Sequence, residues 1–140
     1  MTGLPLVLLD TCALIYIANG EPITEQAREA AKSAIVGQGV LVSPVSAWEI
    51  GLLSTAKRPV TFLPDPKTYF ADFLSRSGVR LTPLSPNIAI ESSHLPQPVH
   101  GDPADRMLIA TARALNVPIV TRDRLILAYA RAGHVQAVAC

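Results

Sequence analysis

At 140 residues the chain has room for one domain, residues 1–140, with a substantial core. Hydrophobic residues make up 49% and charged residues 16%, an apolar balance that leaves surface for a partner. Twelve Lys and Arg against eleven Asp and Glu give a formal charge of +1, so no overall basic field points to nucleic acid; any such binding rests on a local patch or a metal ion. The two cysteines, Cys12 and Cys140, lie at opposite ends of the sequence and lack the spacing of a structural zinc site. Cys12, inside the apolar stretch CALIYIA, reads as a small buried hydrophobe. No stretch approaches the ~20 apolar residues of a membrane span, and Asp10 interrupts the first apolar run before it reaches the length of a signal peptide. A cytoplasmic protein without membrane association is expected.

Leu4 to Leu9 is a continuous apolar run, the pattern of a parallel strand covered on both faces. Asp10 ends it, and Cys12 to Ala18 follows as a short apolar helix stopped by Asn19-Gly20. Thr24 caps a second helix through Ile35, with Gly37 or Gly39 beyond its end. Val40 to Ser43 is the next strand, and Ser46 opens a helix to about Lys57. Pro59 and Pro64 keep residues 58–65 irregular. Asp65-Pro66 starts a helix to Arg76, a cap followed by a first-position proline. Val79 to Leu84 reads as a short strand near an edge because of Pro83. Ser85-Pro86 begins a helix toward His94, residues 95–101 form a loop, and Asp102-Pro103 opens a helix to about Leu115. Val117 to Thr121 is a further buried strand, Arg124 to Arg131 a helix ended by Gly133, and Val135 to Ala139 a last strand. This alternation predicts an α/β fold: three α/β/α layers around a mainly parallel central sheet of four to five strands.

Ligands collect at the carboxyl ends of such strands. Asp10 and Asp123 directly follow strands, while Glu49 and Asp105 are expected in the first turns of helices that begin at the same edge. Acids so far apart in sequence meet only through the fold, and a cluster of them calls for a cation. Each also has a plainer reading. Ser46-x-x-Glu49 has the form of a capping box, Asp123 of an Asx-turn or cap, and Asp10 of a helix cap, although an unpaired carboxylate costs much among apolar neighbours. Asp102 is assigned to capping and Asp105 to chemistry. His94, His100 and His134 form no pattern, and His100 reads as an exposed loop residue. No G-x-S-x-G elbow, P-loop or G-x-G-x-x-G occurs. Of the scattered basic residues, Arg106, Arg122 and Arg124 lie near the acidic edge, where they are expected to contact phosphates.

Four segments, LLDT at 8–11, SAWEI at 46–50, LPQPVHGDPADRMLIATA at 95–112 and IVTRDRLI at 119–126, give the chain a resemblance to the PIN-domain family and, within it, to VapC-type toxins of toxin–antitoxin modules. The resemblance implies an endoribonuclease that hydrolyses RNA phosphodiesters with a metal-activated water. It carries the metal-binding quartet onto Asp10, Glu49, Asp105 and Asp123, with Mg²⁺ or Mn²⁺ as cofactor and Thr11, Ser46 and Thr121 as supporting hydroxyls. It also implies a cognate antitoxin, an RNA substrate and a homodimer. Ala104 stands where relatives commonly carry a bulky residue, and Gly101 where they often carry a basic one. The competing readings are another α/β metal-dependent phosphatase and a PIN-fold module that holds RNA or protein without cutting. Haloacid dehalogenase-like phosphatases need a second Asp two residues after the first, where this chain has Cys12, and retention of all four acids argues against a non-cleaving module.

Overall fold

The computed structural model describes residues 5–140. In chain order the elements are β1 (Leu6–Leu9), α1 (Thr11–Ala18), α2 (Glu25–Val36), β2 (Gly39–Val42), α3 (Pro44–Ser54), α4 (Pro66–Leu74), β3 (Val79–Leu81), α5 (Pro86–Glu91), α6 (Pro103–Leu115), β4 (Ile119–Thr121), α7 (Arg124–Arg131) and β5 (Ala137–Ala139). Leu4, placed by the sequence at the start of the first strand, lies outside the described residues. None of the described helices is long and apolar enough to cross a membrane.

The strands form one sheet in the order β3-β2-β1-β4-β5, and every pairing is parallel. The apolar runs of β1, β2 and β4 are buried because helices cover both faces. Alternation along each strand sorts the core into two halves. Leu8, Leu41 and Ile119 face one side with Ile88 of α5, Leu108 and Ile109 of α6, and Ile126 of α7. Val7, Leu9, Val40, Val42 and Val120 face the other with Ala13 and Leu14 of α1, Ala27 and Ala34 of α2, and Phe73 of α4. This is the expected three-layer arrangement. Strand order reverses at β1: the chain winds outward through β2 and β3, then returns to place β4 on the other side. The loops leaving β1 and β4 diverge, opening a crevice at the carboxyl edge of the sheet.

One helix start differs from expectation, and the difference bears on the site. α3 begins at Pro44, not Ser46, with Ser43 as its cap: the Ser43 hydroxyl accepts the Val45 N–H at 3.0 Å. Ser46 is therefore inside the helix, and Ser46-x-x-Glu49 is no capping box. Glu49 sits in the second turn, not the first. The signal was present in the sequence, since Ser43-Pro44 has the same cap-then-proline form as Asp65-Pro66.

Candidate metal centre

Asp10 extends the β1–β4 ladder, its N–H donating to the Val120 carbonyl at 3.1 Å. Its Oδ1 caps α1 by accepting the Ala13 N–H at 2.8 Å, and its Oδ2 accepts from the Thr121 hydroxyl. Thr121 Oγ1 accepts in turn from the Asp123 N–H at 3.0 Å, so one threonine at the end of β4 fixes both an acid of β1 and the backbone of another. Asp10 is only 4% exposed. Burial pushes its carboxyl up to about 6; the two hydrogen bonds oppose that rise, and the charges of Asp105 and Asp123 add to it.

Asp105 lies in the first turn of α6, where the Asp102 cap accepts its N–H at 3.0 Å. Asp102 thus performs the capping role assigned to it. Asp105 Oδ2 is 2.9 Å from His100 Nε2. Burial raises this carboxyl as well to about 6; Asp102 and Asp123 reinforce the shift, and His100 works against it. Asp123 caps α7 through Oδ1, which accepts the Leu125 and Ile126 N–H groups at 2.8 and 3.0 Å. One oxygen of Asp105, one of Asp123 and one nitrogen of His100 all lie within 4.8 Å of one another.

Glu49 arrives from α3 and is held by Thr11, whose hydroxyl donates to Oε1 and lies 3.0 Å from the Ser46 hydroxyl. Burial raises its carboxyl, Thr11 opposes the rise, and the charges of Asp102 and Asp10 add to it. Glu49 and Asp10 are outside the close trio of His100, Asp105 and Asp123, and Asp10 is linked to that trio by charge and through Thr121. All four acids nonetheless lie near enough for their charges to act together on the Cys12 thiol. Their donor set suits a hard divalent ion: oxygen ligands, partly buried, with Asp10, Glu49 and Asp105 raised by burial and by neighbouring acids, and no Lys or Arg paired to them among the described residues.

The family model for the PIN domain matches residues 7–132. The chain belongs to the PIN-domain family. Solved structures with the same fold include VapBC2 from Rickettsia felis bound to a DNA fragment from its promoter (15% identity, TM-score 0.68, 96% of this chain and 98% of that one). DNA-bound VapBC from Salmonella typhimurium is similar over 99% of this chain and 98% of its own (18% identity, TM-score 0.63). VapC20 from Mycobacterium tuberculosis, a toxin that cleaves the sarcin-ricin loop, covers 93% and 97% (14% identity, TM-score 0.56). No curated protein sequence matches the chain.

Within this PIN domain, Arg106 and Arg122 are tied to backbone. Arg106 Nε donates to the His100 carbonyl at 2.7 Å and Nη2 to Val99 at 3.4 Å. Arg122 donates to the carbonyls of Cys140 and Pro22 at 3.1 and 3.2 Å and stacks on Tyr16. Arg124 is exposed at the start of α7. His100 is the residue that the sequence reading missed: its side chain is only 13% exposed, and it faces Asp105 across a loop-to-helix turn that no periodicity reveals. Cys12 is a second correction. It is exposed, not buried in the core. Its thiol is pushed up to about 11 by desolvation and then by the charges of Asp10, Glu49, Asp105 and Asp123.

Proposed function

We propose that this PIN domain is the toxin of a toxin–antitoxin module: a cytoplasmic endoribonuclease that hydrolyses RNA phosphodiesters with a divalent ion, Mg²⁺ or Mn²⁺, bound by Asp10, Asp105 and Asp123 with Glu49 beside them. The observation that carries this reading is the buried Asp10 carboxyl, raised to about 6 and surrounded by further acids. Such a group costs stability unless it is neutralised, and a cation neutralises several carboxylates at once. When bound, the ion offsets charge on the phosphate oxygens and acidifies water. The chain's residues do the rest. Thr121 and the Ala13 N–H fix both oxygens of Asp10, Thr11 aims Glu49, and the capping bonds to Asp123 Oδ1 orient its other oxygen. With Arg106 and Arg122 holding backbone, Arg124 is the arginine best placed to meet the RNA phosphate.

The partner reading draws support from the solved VapBC neighbours, which are toxin–antitoxin complexes. It also draws on the apolar surface of α3 and α4, where Trp48 and Leu52 are half exposed. Beside them runs a groove of about 640 Å³ lined by Ala47, Gly51, Asp65, Pro66, Lys67 and Phe70. A small antitoxin segment is assigned to this face, and a homodimer is expected as in the resemblance.

Incubating the purified protein with RNA in Mg²⁺ or Mn²⁺, with and without EDTA, tests the activity. Cleavage that requires the ion, is abolished by Asp10→Asn and leaves 5′-phosphate and 3′-hydroxyl ends is the expected result. RNA binding without cleavage would instead make this a non-cleaving module, and 2′,3′-cyclic phosphate ends would refute attack by water.

A further inference from the structure

We propose that His100 donates its Nε2 to the divalent ion, making the centre a mixed nitrogen and oxygen site that prefers Mn²⁺, Co²⁺ or Ni²⁺ to Mg²⁺. This rests on the metal-site reading above and adds a ligand from outside the acidic quartet. The first support is how firmly the loop presents the ring. Leu95 is buried at one end, the Pro96 carbonyl accepts the Tyr129 hydroxyl of α7 at 2.8 Å, and Arg106 of α6 binds the carbonyls of Val99 and His100. The backbone beneath the imidazole is thus fastened to both helices that carry Asp105 and Asp123.

The second support is spacing. In an octahedral site with bonds of about 2.1 Å, neighbouring ligand atoms are about 3.0 Å apart and opposite ones about 4.2 Å. His100 Nε2 and Asp105 Oδ2 are 2.9 Å apart, the spacing of neighbouring ligands, and an oxygen of Asp123 lies within 4.8 Å of both, so that a shift of under about 1 Å brings all three into octahedral range. A His–Asp hydrogen bond alone accounts for the first distance, but it does not require a second carboxylate, capped on a different helix, to converge on the same point. With its proton on Nδ1, the imidazole directs the Nε2 lone pair into the gap, and the ion takes the place of the proton shared with Asp105.

Charge supports the same assignment. Four carboxylates already exceed the charge of one divalent ion, so a neutral nitrogen fills a coordination position without adding repulsion. It also alters preference. Imidazole favours first-row transition ions in the order Mn²⁺ < Co²⁺ < Ni²⁺, whereas carboxylate and water suit Mg²⁺.

Pulsed EPR of the Mn²⁺-loaded protein reads the ligand directly. Modulation from a coordinated nitrogen is expected in the wild type and absent in His100→Gln, which keeps a polar group at the same reach. Calorimetric titration is expected to show Co²⁺ and Ni²⁺ affinity falling about tenfold or more in His100→Gln. Mg²⁺ affinity should change less than about twofold, and circular dichroism checks that the fold is retained. An all-oxygen Mn²⁺ spectrum in the wild type, or an equal loss of affinity for Co²⁺, Ni²⁺ and Mg²⁺, overturns the ligation; if Mg²⁺-dependent RNA cleavage persists, the nuclease reading stands without it. Failure of the wild type to bind any of these ions overturns both.

Discussion

Asp10→Asn isolates the charge of the most buried acid, because the substitution keeps the shape of the side chain. Asn retains an oxygen for the Ala13 N–H and loses the ionised oxygen that accepts from Thr121. The folded-state carboxyl stands at about 6 against 3.8 in the unfolded chain. It is raised, so the apo fold binds the proton more tightly than the unfolded chain, and ionisation weakens the fold as pH rises from about 4 to 6. At about 1.4 kcal/mol per unit, the cost at pH 8 is about 3 kcal/mol, shrinking to about 0.5 kcal/mol at pH 4. Losing the Thr121 bond returns about 1–2 kcal/mol, so the variant should be about 1–2 kcal/mol more stable at pH 8, a rise of roughly 4–8 °C in Tm. Thermal melts in EDTA across pH 4–8 measure this difference. Added Mn²⁺ should reverse the ranking, since binding stabilises only the chain that holds the ion, by about 2.7 kcal/mol at one hundred times Kd. A variant less stable than the wild type at pH 8 in EDTA, or a gain of equal size at pH 4, would show that Asp10 is a structural cap and not a carboxylate awaiting a cation.

The Cys12 thiol, held at about 11 in the first place by desolvation and then by the four acids, should react slowly with iodoacetamide at pH 7.5 and faster once Mn²⁺ neutralises those charges. Mass spectrometry of the alkylated peptide measures the rates; equal rates with and without the ion would place the thiol outside the field of the centre. Thr11→Val strips the hydroxyl shared by Ser46 and Glu49 and should destabilise the protein by about 1–3 kcal/mol in urea unfolding, with Thr11→Ser recovering most of the loss. Wild-type stability in Thr11→Val would mean that Glu49 needs no such anchor.

The strands were legible where burial on both faces left uninterrupted apolar runs, as in Leu6–Leu9 and Ile119–Thr121, whereas their order in the sheet came only with the structure. Asp65-Pro66 and Asp102-Pro103 marked helix starts because a cap and a first-position proline act locally, within four residues. Where local signals competed, the reading slipped. Ser46 and Glu49 have capping-box spacing, yet Ser43-Pro44 had already started that helix, and Ser46 serves Thr11 across the crevice. His100 and Cys12 slipped for a tertiary reason. The orientation of a loop side chain depends on what fastens the loop, here Tyr129 and Arg106, and the surroundings of one position on a short helix depend on groups as far off in sequence as Asp105 and Asp123.

The β1–β4 pairing has a consequence for synthesis. It joins residues 8 and 9 to 119 and 120, so the crevice between them can close only after most of the chain has been made. A growing chain carries Asp10 and Glu49 for more than fifty residues before Asp105 and Asp123 are joined to it. The long loop that must close before these strands meet also makes the pairing a late event in folding. The edge that carries Asp10, Glu49, Asp105 and Asp123 is therefore assembled only after residues 119 and 120 have met β1.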